Sequence, residues 1–288
     1  MMYETVIPGL DDLIKRALDE DVGTCDVTTA ATVPENAVIE GKYIAKADGV
    51  VCGTFILQKV FDKVGSGAKV TLSVADGDKV KKGDIIGTVS GNARTVLIGE
   101  RVGLNLLQHL SGIATRTRKY VDAVAGTGAS IVDTRKLTPG LRALEKYAVR
   151  VGGGKNHRMN LSDGVLIKDN HIVASGGIKE AVAAARAFAP HTLKIEVETE
   201  TLDQVAEALE AGADIIMLDN MSVENMKKAV ATIGGRALVE ASGNMGDKTK
   251  DELVAVAKTG VDMISIGALT NSVAAFDISL KFNQLKTK

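Results

Sequence analysis

The sequence predicts an α/β protein in which a separate α+β domain precedes a (β/α) barrel, either complete or short of eight strands. Two observations favour this fold. From about residue 113 onward, short apolar runs alternate with stretches of helical periodicity, whereas the first 112 residues are richer in strand-like segments. In addition, EAGADIIMLDN at 210–220 is echoed by KTGVDMISIGA at 258–268, as repeated βα units would be.

Six apolar runs of strand length define the predicted barrel domain, residues 113–271. They lie at 129–133, 164–168, 193–198, 214–219, 237–242 and 262–267. Stretches of helical periodicity lie between the later runs, at 178–189, 202–213, 223–234 and 249–260. Because strands joined through helices pair in parallel, the six runs predict one parallel sheet.

The predicted first domain, residues 1–112, begins with a helix at about 9–19 and continues through a β-rich middle. A long apolar helix at 96–125 then leads into the barrel. The last segment, at 272–285, has the pattern of an amphipathic helix, and we expect residues 272–288 to pack on the first domain.

The segment DGDKVKKGDIIGTVSG at 76–91 resembles the hairpin of biotinyl and lipoyl carrier domains. A carrier needs an exposed lysine at the tip of the turn that follows, and the continuation NARTVLIGER offers none. A structural hairpin is therefore favoured over a carrier function.

Composition excludes several classes of protein. The 288 residues are 45% hydrophobic and 25% charged, with a formal net charge of -1 and no Trp, which does not favour a nucleic-acid-binding surface. No apolar run is long enough to cross a bilayer, so no membrane association is predicted. Cys25 and Cys52 lack metal-ligand spacing and are too few for a disulfide framework, which favours a cytoplasmic location.

Polar residues follow the predicted strands at the ends where barrel enzymes place their active sites. These candidate residues are Thr134, Arg135, Lys136, Lys168, Asp169, Asn170, Glu198, Asp219, Asn220, Ser242, Gly243 and Gly267. Their recurrence after six strands predicts that they form one site.

Two carboxylates stand out in this set. Glu198 and Asp219 occupy equivalent positions in successive units, and beside a cationic site they suit Mg²⁺ or a ribose diol. Within LKIEVE, Lys194 and Glu196 share a face with Glu198. They could form a structural ion pair or take part in function, and the pattern does not decide between the two.

Positive charge is concentrated in DTRKLTPGLRALEKYAVRVGGGKNHR, residues 133–158. Arg135 and Lys136 follow a strand, and His157 and Arg158 follow a glycine run, so these four could bind a multiply charged anion. Thr138 is the predicted N-cap and Pro139 the first residue of a short helix between them. Its face toward the core would carry Leu141, Leu144 and Ala148. Its basic stripe, Arg142, Lys146 and Arg150, could be a solvated face or could steer anions.

Arg101 lies in VLIGERVGLNLLQHL, a helix that is apolar around most of its circumference. This pattern predicts that Arg101 is buried in a core or an interface. A buried arginine needs an anion, so Arg101 would either pair within the structure or reach a ligand, including one across a subunit boundary.

Nine segments closely resemble the quinolinate phosphoribosyltransferase family, also called nicotinate-nucleotide pyrophosphorylases. They are EDVGTCDVTT, ERVGLNLLQHLSGIAT, DTRK, PGLRALEKYAVRVGGGKNHR, LIKDNH, EVE, LDN, EASGN and SIGALT. The matches run in order from about residue 20 to 280. The resemblance implies an N-terminal open α/β sandwich followed by an incomplete, TIM-like α/β barrel. It also implies synthesis of nicotinate mononucleotide, pyrophosphate and CO₂ from quinolinate and phosphoribosyl pyrophosphate, with Mg²⁺, on the route to NAD.

By resemblance, the two carboxylates of quinolinate would be held by Arg135, His157, Arg158 and Lys168, with Arg101 arriving from the partner in a homodimer or higher homo-oligomer. Lys136, Glu198 and Asp219 would serve the ribose, the pyrophosphate and Mg²⁺, the two carboxylates binding the ion directly or indirectly. The remaining substrate contacts would come from Thr134, Ser242, Gly243, Asn244, Ser265 and Gly267.

Two positions depart from the family pattern. Leu137 stands where a threonine usually follows DTRK, and Asn271 stands where many members have histidine, which puts one phosphate contact in doubt. Two other functions compete: a related phosphoribosyltransferase for another acidic heteroaromatic compound, and a non-catalytic anion binder. The carboxylates Glu198 and Asp219 speak against a binder, because capture of an anion does not require them.

Overall fold

The structure, a computed structural model, describes residues 7–283 of the chain. These residues form two compact units. The first contains the residues up to 116 together with 138–152 and those from 273 on, and the second contains 117–137 and 153–272. Residues 138–152, which the sequence analysis assigned to the barrel, thus belong to the first unit; the predicted boundary at residue 112 stays a prediction.

The first unit is built on a four-stranded antiparallel sheet in the order β12-β1-β5-β3 and a two-stranded sheet of β2 and β4. Its elements in chain order are α1 (Leu10–Val22), α2 (Val27–Thr32), β1 (Val38–Ala45), β2 (Gly49–Val50), α3 (Thr54–Val64), β3 (Ala68–Leu72), β4 (Lys79–Val80), β5 (Ile85–Asn92), α4 (Ala93–Ala123), α5 (Arg142–Val151) and β12 (Ile278–Phe282). Of these, α4 continues past residue 116 into the second unit. The predicted N-terminal helix and long apolar helix are confirmed.

Apolar side chains from the large sheet and its helices share one core, with Tyr43, Phe61, Val89 and Leu107 among its most buried members. A polar contact connects two helices of this unit, α3 and α5. The Asp76 carboxylate accepts hydrogen bonds from the first backbone N–H groups of α3, at Gly53 and Thr54, and from the Tyr147 hydroxyl at 2.8 Å. A carboxylate at the positive end of a helix stabilises that helix, so Asp76 supports α3 and also holds α5.

The segment 76–91 does not form the predicted hairpin. Its two strands join different sheets, because β4 pairs with β2 whereas β5 pairs with β1 and β3. A turn at Gly83, which has a positive φ, lets the chain change direction between β4 and β5.

The C-terminal segment is a strand and not the predicted amphipathic helix; residues 284–288 of that prediction lie outside the described part. The strand β12 adds to the free edge of β1, with Ile278 and Leu280 buried at alternate positions. The Gln108 side chain of α4 donates to the Ile278 carbonyl at 2.7 Å. Alternation of Phe276, Ile278 and Leu280 is a strand pattern that the overlapping helical periodicity concealed.

Helix α5 begins at Arg142, so the prediction that it starts at Thr138 and Pro139 is wrong. The Thr138 N–H instead donates to the buried Glu145 carboxylate, whose other oxygen lies 2.8 Å from His109 Nε2. Lys146 is only 1% exposed, so a solvated basic face is also wrong at this position. Of the predicted core positions, Leu144 and Ala148 are buried and Leu141 is half-buried.

The second unit is a parallel six-stranded sheet with helices between its strands. Its elements are β6 (Ser130–Val132), β7 (Val165–Ile167), α6 (Asp169–Ser175), α7 (Ile178–Phe188), β8 (Ile195–Thr199), α8 (Leu202–Glu210), β9 (Ile215–Asp219), α9 (Val223–Ile233), β10 (Leu238–Ser242), a 3₁₀ turn (Met245–Asp247), α10 (Lys250–Ala257), β11 (Met263–Ser265) and α11 (Ala268–Asn271). All five strand pairs are parallel. The six predicted strands and the four predicted helices are confirmed.

The strand order β6-β11-β10-β9-β8-β7 leaves β6 and β7 at the two ends of the sheet, so the barrel is incomplete. Side chains buried along the sheet are mostly aliphatic, as Ile131, Val197, Ile216 and Ile264 illustrate. Aliphatic packing on both faces is expected where helices cover a parallel sheet.

Candidate active site

A pocket of about 640 Å³ lies in the second unit at the carboxyl ends of its strands. Fourteen sequence-predicted residues line it: Thr134, Arg135, Lys136, His157, Arg158, Lys168, Glu198, Asp219, Asn220, Ser242, Gly243, Asn244, Ser265 and Gly267. The structure therefore brings together side chains from all six strand ends and from one loop. Their individual roles stay predictions.

The loop that carries His157 and Arg158 is attached to β6. Lys155 forms a parallel bridge to Val132, and its N–H donates to the Ile131 carbonyl at 2.8 Å. The Arg158 guanidinium donates to the Gly164 carbonyl at 3.1 Å. Burial lowers the pKa of Arg158, and the nearby positive charge of Arg135 lowers it further. Two guanidinium groups that repel one another inside a pocket favour the binding of an anion between them.

Lys136 is held independently of that loop. Its N–H donates to the Thr134 hydroxyl at 3.0 Å, and its carbonyl accepts from the buried Thr270 hydroxyl at 2.6 Å. Its side chain passes Gly267, where an added Cβ would lie 3.0 Å from Lys136 Cδ. The absence of a side chain at Gly267 thus leaves room for the lysine to reach the pocket.

The two predicted carboxylates lie on the same wall. Glu198 pairs with Lys168, with Nζ 2.5 Å from Oε2. Asp219 accepts a hydrogen bond from the Asn220 side chain at 2.7 Å, and Asn220 accepts one from Asn244 at 3.3 Å. Asn220 and Asn244 both have positive φ, of 52° and 50°. Strained backbone conformations of this kind are common at functional sites.

In the pocket lining, His157 contacts two buried glutamates, one of which, Glu240, lines the pocket as well. Its Nε2 lies 3.1 Å from Glu196 and 3.6 Å from Glu240, while its Nδ1 accepts the Arg158 N–H at 2.8 Å. Because Nδ1 is an acceptor here, Nε2 carries the proton and donates toward the glutamates. Burial and the charge of Glu196 raise the pKa of Glu240 to about 8.

The ligand atoms of His157, Glu196 and Glu240 all lie within 4.8 Å of one another, a spacing that could hold a metal ion. Without an ion, a protonated Glu240 can share its proton with Glu196, although the Oε1 atoms of Glu196 and Glu240 are both buried without a hydrogen-bond partner. For Mg²⁺, the residues that fit are Glu198 and Asp219, since the ion prefers a small number of carboxylate oxygens and retains water.

The structure excludes one of the alternatives left open for each of two charged residues. Lys194 precedes β8 and is exposed, so it does not form the structural ion pair with Glu196, whose carboxylate contacts His157 instead. Arg101 is exposed on α4 in the first unit, which contradicts burial in a core, whereas its burial in an interface stays a prediction.

Sequence reasoning missed Glu240 and Asp133. Glu240 follows the same period of two as Ser242 on β10, so alternation could have placed it on the inner face of the sheet. Asp133 opens the DTRK motif and is fully buried, and its hydrogen bonds are visible only in the structure. Asn271, the unusual residue of the last motif, also lines the pocket.

Comparison with known proteins decides the family. The model of the quinolinate phosphoribosyl transferase C-terminal domain matches residues 113–281, and that of the N-terminal domain matches residues 26–111. The chain belongs to the quinolinate phosphoribosyltransferase family. Together the two matches extend from residue 26 to residue 281, with only residue 112 between them.

Individual relatives of the family agree over nearly the whole chain. The carboxylating nicotinate-nucleotide pyrophosphorylase of Mycobacterium leprae is 46% identical over 97% of this chain and 99% of its own. The chloroplastic enzyme of Arabidopsis thaliana is 46% identical over 95% of this chain and 83% of its own. The crystal structure of NadC from Streptococcus pyogenes is 42% identical, covers 98% of this chain and 99% of its own, and has a TM-score of 0.91.

Proposed function

We propose that this chain transfers the phosphoribosyl group of phosphoribosyl pyrophosphate to quinolinate. The products would be nicotinate mononucleotide, pyrophosphate and CO₂, for use in NAD synthesis. The observation that carries the proposal is that Arg135 and Arg158 line the same pocket, where the positive charge of Arg135 acts on Arg158 and a dicarboxylate would relieve the repulsion. Planar guanidinium groups bind carboxylates through paired hydrogen bonds, each contributing about 1.5–3 kcal/mol. His157 and Lys168 would complete the binding of quinolinate.

The remaining pocket suits the phosphoribosyl donor. Lys136, with Thr134, Ser242, Gly243, Asn244, Ser265 and Gly267, would contact its ribose and phosphate groups. Glu198 and Asp219 would hold Mg²⁺, directly or through water, and the ion would neutralise charge on the departing pyrophosphate. The same carboxylates tolerate the positive charge that develops on the ribose ring.

The reaction needs no nucleophile from the protein. The pyridine nitrogen attacks the anomeric carbon as the bond from that carbon to the pyrophosphate oxygen breaks. The resulting pyridinium accepts the electron pair released when the adjacent carboxylate leaves as CO₂, and a proton then replaces it on the ring carbon. The task of Arg135 and Arg158 is to orient the dicarboxylate so that its nitrogen faces the ribose.

The purified protein, given quinolinate, phosphoribosyl pyrophosphate and Mg²⁺, is expected to release CO₂ and pyrophosphate in equal amounts. Isotopically labelled quinolinate and a coupled pyrophosphate assay measure the two products. Turnover of nicotinate, or of another acidic heteroaromatic compound in place of quinolinate, contradicts the proposal, as does the absence of turnover.

We also propose that the site is shared between subunits of a homodimer or larger homo-oligomer, with Arg101 reaching the pocket of a neighbour. The exposure of Arg101 supports this arrangement, because Val102 and Leu104 on the same helix are buried whereas Arg101 faces outward. A buried position would have left no route to another chain.

The proposed location is the cytoplasm. Cys25 and Cys52 are both free, which suits a reducing compartment. Among residues 7–283, no helix combines the length and the apolar character that crossing a membrane requires.

A further inference from the structure

Asp133 is a fully buried carboxylate beside the pocket. One of its oxygens accepts a hydrogen bond from the Asn156 side chain at 2.7 Å, and the other accepts the backbone N–H of His157 at 2.8 Å. A buried carboxylate is costly unless it is hydrogen-bonded, so both contacts contribute to keeping it in place.

These hydrogen bonds connect distant parts of the chain. Arg135 follows Asp133 by two residues at the end of β6, whereas Arg158 lies on the loop that Asp133 holds. The loop contacts β6 through backbone as well, since the Asp133 N–H donates to the Lys155 carbonyl at 3.2 Å. Asp133 therefore determines how Arg158 is placed relative to Arg135, the two groups whose charges act on each other.

We propose that Asp133 is a positioning residue that holds His157 and Arg158 in register with Arg135, so that the pocket binds both carboxylates of quinolinate. This inference rests on the proposed function. Asp133 does not touch the substrate in this account; it acts through the backbone of His157 and the side chain of Asn156.

The geometry predicts an effect on one substrate more than on the other. Lys136, proposed to contact the phosphoribosyl donor, is held by the Thr270 hydroxyl and not by the Asp133 carboxylate. A change at the Asp133–Asn156 contact should therefore raise the KM for quinolinate and leave the KM for phosphoribosyl pyrophosphate nearly unchanged.

A charge exchange tests the contact. Asn156→Asp places a second carboxylate against that of Asp133, and we expect the KM for quinolinate to rise by about 30-fold with kcat changed much less. In the double variant Asp133→Asn with Asn156→Asp, the new amide at position 133 donates to the new carboxylate and accepts the His157 N–H. The KM for quinolinate should then return to within about fivefold of the original.

Asp214→Asn is the matched control. Asp214 accepts the Ile195 N–H at 2.8 Å, so it also holds backbone in the second unit, but it lies where β9 begins, at the ends of the strands opposite the pocket. This variant should lose stability without a change in either KM.

Should Asn156→Asp fail to fold, Asn156→Ala removes one hydrogen bond without adding charge, and we expect a rise of roughly three- to tenfold in the KM for quinolinate.

The outcomes separate the two proposals. If the unaltered protein does not turn over quinolinate, the proposed function fails and this inference fails with it. If it does turn over quinolinate, the positioning role of Asp133 can fail alone. It fails if Asn156→Asp and Asn156→Ala leave the KM for quinolinate unchanged, as Asp214→Asn does. It also fails if the folded double variant has a KM for quinolinate no lower than that of Asn156→Asp.

Discussion

At the scale of single residues, the most unusual group is Glu240, a carboxyl that is 1% exposed and lies 3.6 Å from His157. Burial is the main cause of its raised pKa, and the neighbouring Glu196 charge adds to it. Its pKa is about 8 in the folded protein, well above the ordinary value of 4.5 for a glutamate. Folding therefore favours the protonated carboxyl.

The raised pKa predicts how stability depends on pH. The contribution of a protonated Glu240 is fully present below pH 4.5 and is lost as the pH rises through about 8. Glu240→Gln mimics the protonated form, so its free energy of unfolding should exceed that of the original protein at pH 9 by as much as roughly 4 kcal/mol. At pH 5 the two should be nearly equal. Urea unfolding at both pH values measures the difference.

Glu224→Gln provides the control for this prediction. Glu224 is on the surface, where its hydrogen bond with Lys228 lowers its pKa, so it stays ionised over the same pH range. Its replacement should not change the difference between pH 5 and pH 9. A Glu240→Gln variant that follows the original protein at every pH would show that Glu240 is ionised in the folded state.

At the scale of elements, the turn after β10 shows how a loop is fitted to the pocket. Gly243 has a φ of 90°, and an added Cβ would lie 2.2 Å from the Asn220 side-chain oxygen and 2.7 Å from its backbone nitrogen. Since Asn220 donates to Asp219, crowding at Gly243 would displace the proposed Mg²⁺ and ribose ligand. The turn thus requires glycine for space as well as for conformation.

Gly243→Ala is expected to raise the KM for phosphoribosyl pyrophosphate by about tenfold or more, because it disturbs Asp219 through Asn220. The positive φ alone should also cost about 1 kcal/mol of stability. Gly235→Ala isolates that second effect, since Gly235 has a φ of 77° and open space around its Cα. Steady-state kinetics measure the effect on the KM, and urea unfolding measures the effect on stability, so the two effects can be separated. Equal kinetics for both alanine variants would contradict the role given to the turn.

The elements also show what the sequence could predict. The strands and helices of the second unit follow local periodicity, and their polar ends could be assigned to one site because parallel strands end on the same side. The C-terminal strand β12 could not be predicted from the sequence, because its pairing with β1 is a non-local contact and the local pattern favours a helix. The same holds for Lys146, whose burial depends on the packing of residues 138–152 in the first unit.

At the scale of the whole molecule, the arrangement to be tested is the proposed sharing of the site between subunits. Arg135 and Arg158 line a pocket in the second unit, whereas Arg101 belongs to the first unit and is exposed. If Arg101 serves a neighbour's pocket, each site of a dimer takes Arg135 from one subunit and Arg101 from the other. Substitutions at these two positions would then fall in different sites of a mixed dimer.

Mixed dimers test this arrangement. Arg101→Ala and Arg135→Ala should each be inactive alone, but a dimer with one subunit of each has one intact site and one doubly altered site. Random exchange makes half of the dimers mixed, so about a quarter of all sites should be intact and activity should recover to that fraction.

The control pairs Arg135→Ala with Arg158→Ala. These two positions lie in the same pocket of one subunit, so every site lacks an arginine and mixing should restore no activity. Subunit exchange is verified with differently tagged chains, and exchange without recovery in the first pair would place Arg101 outside the site.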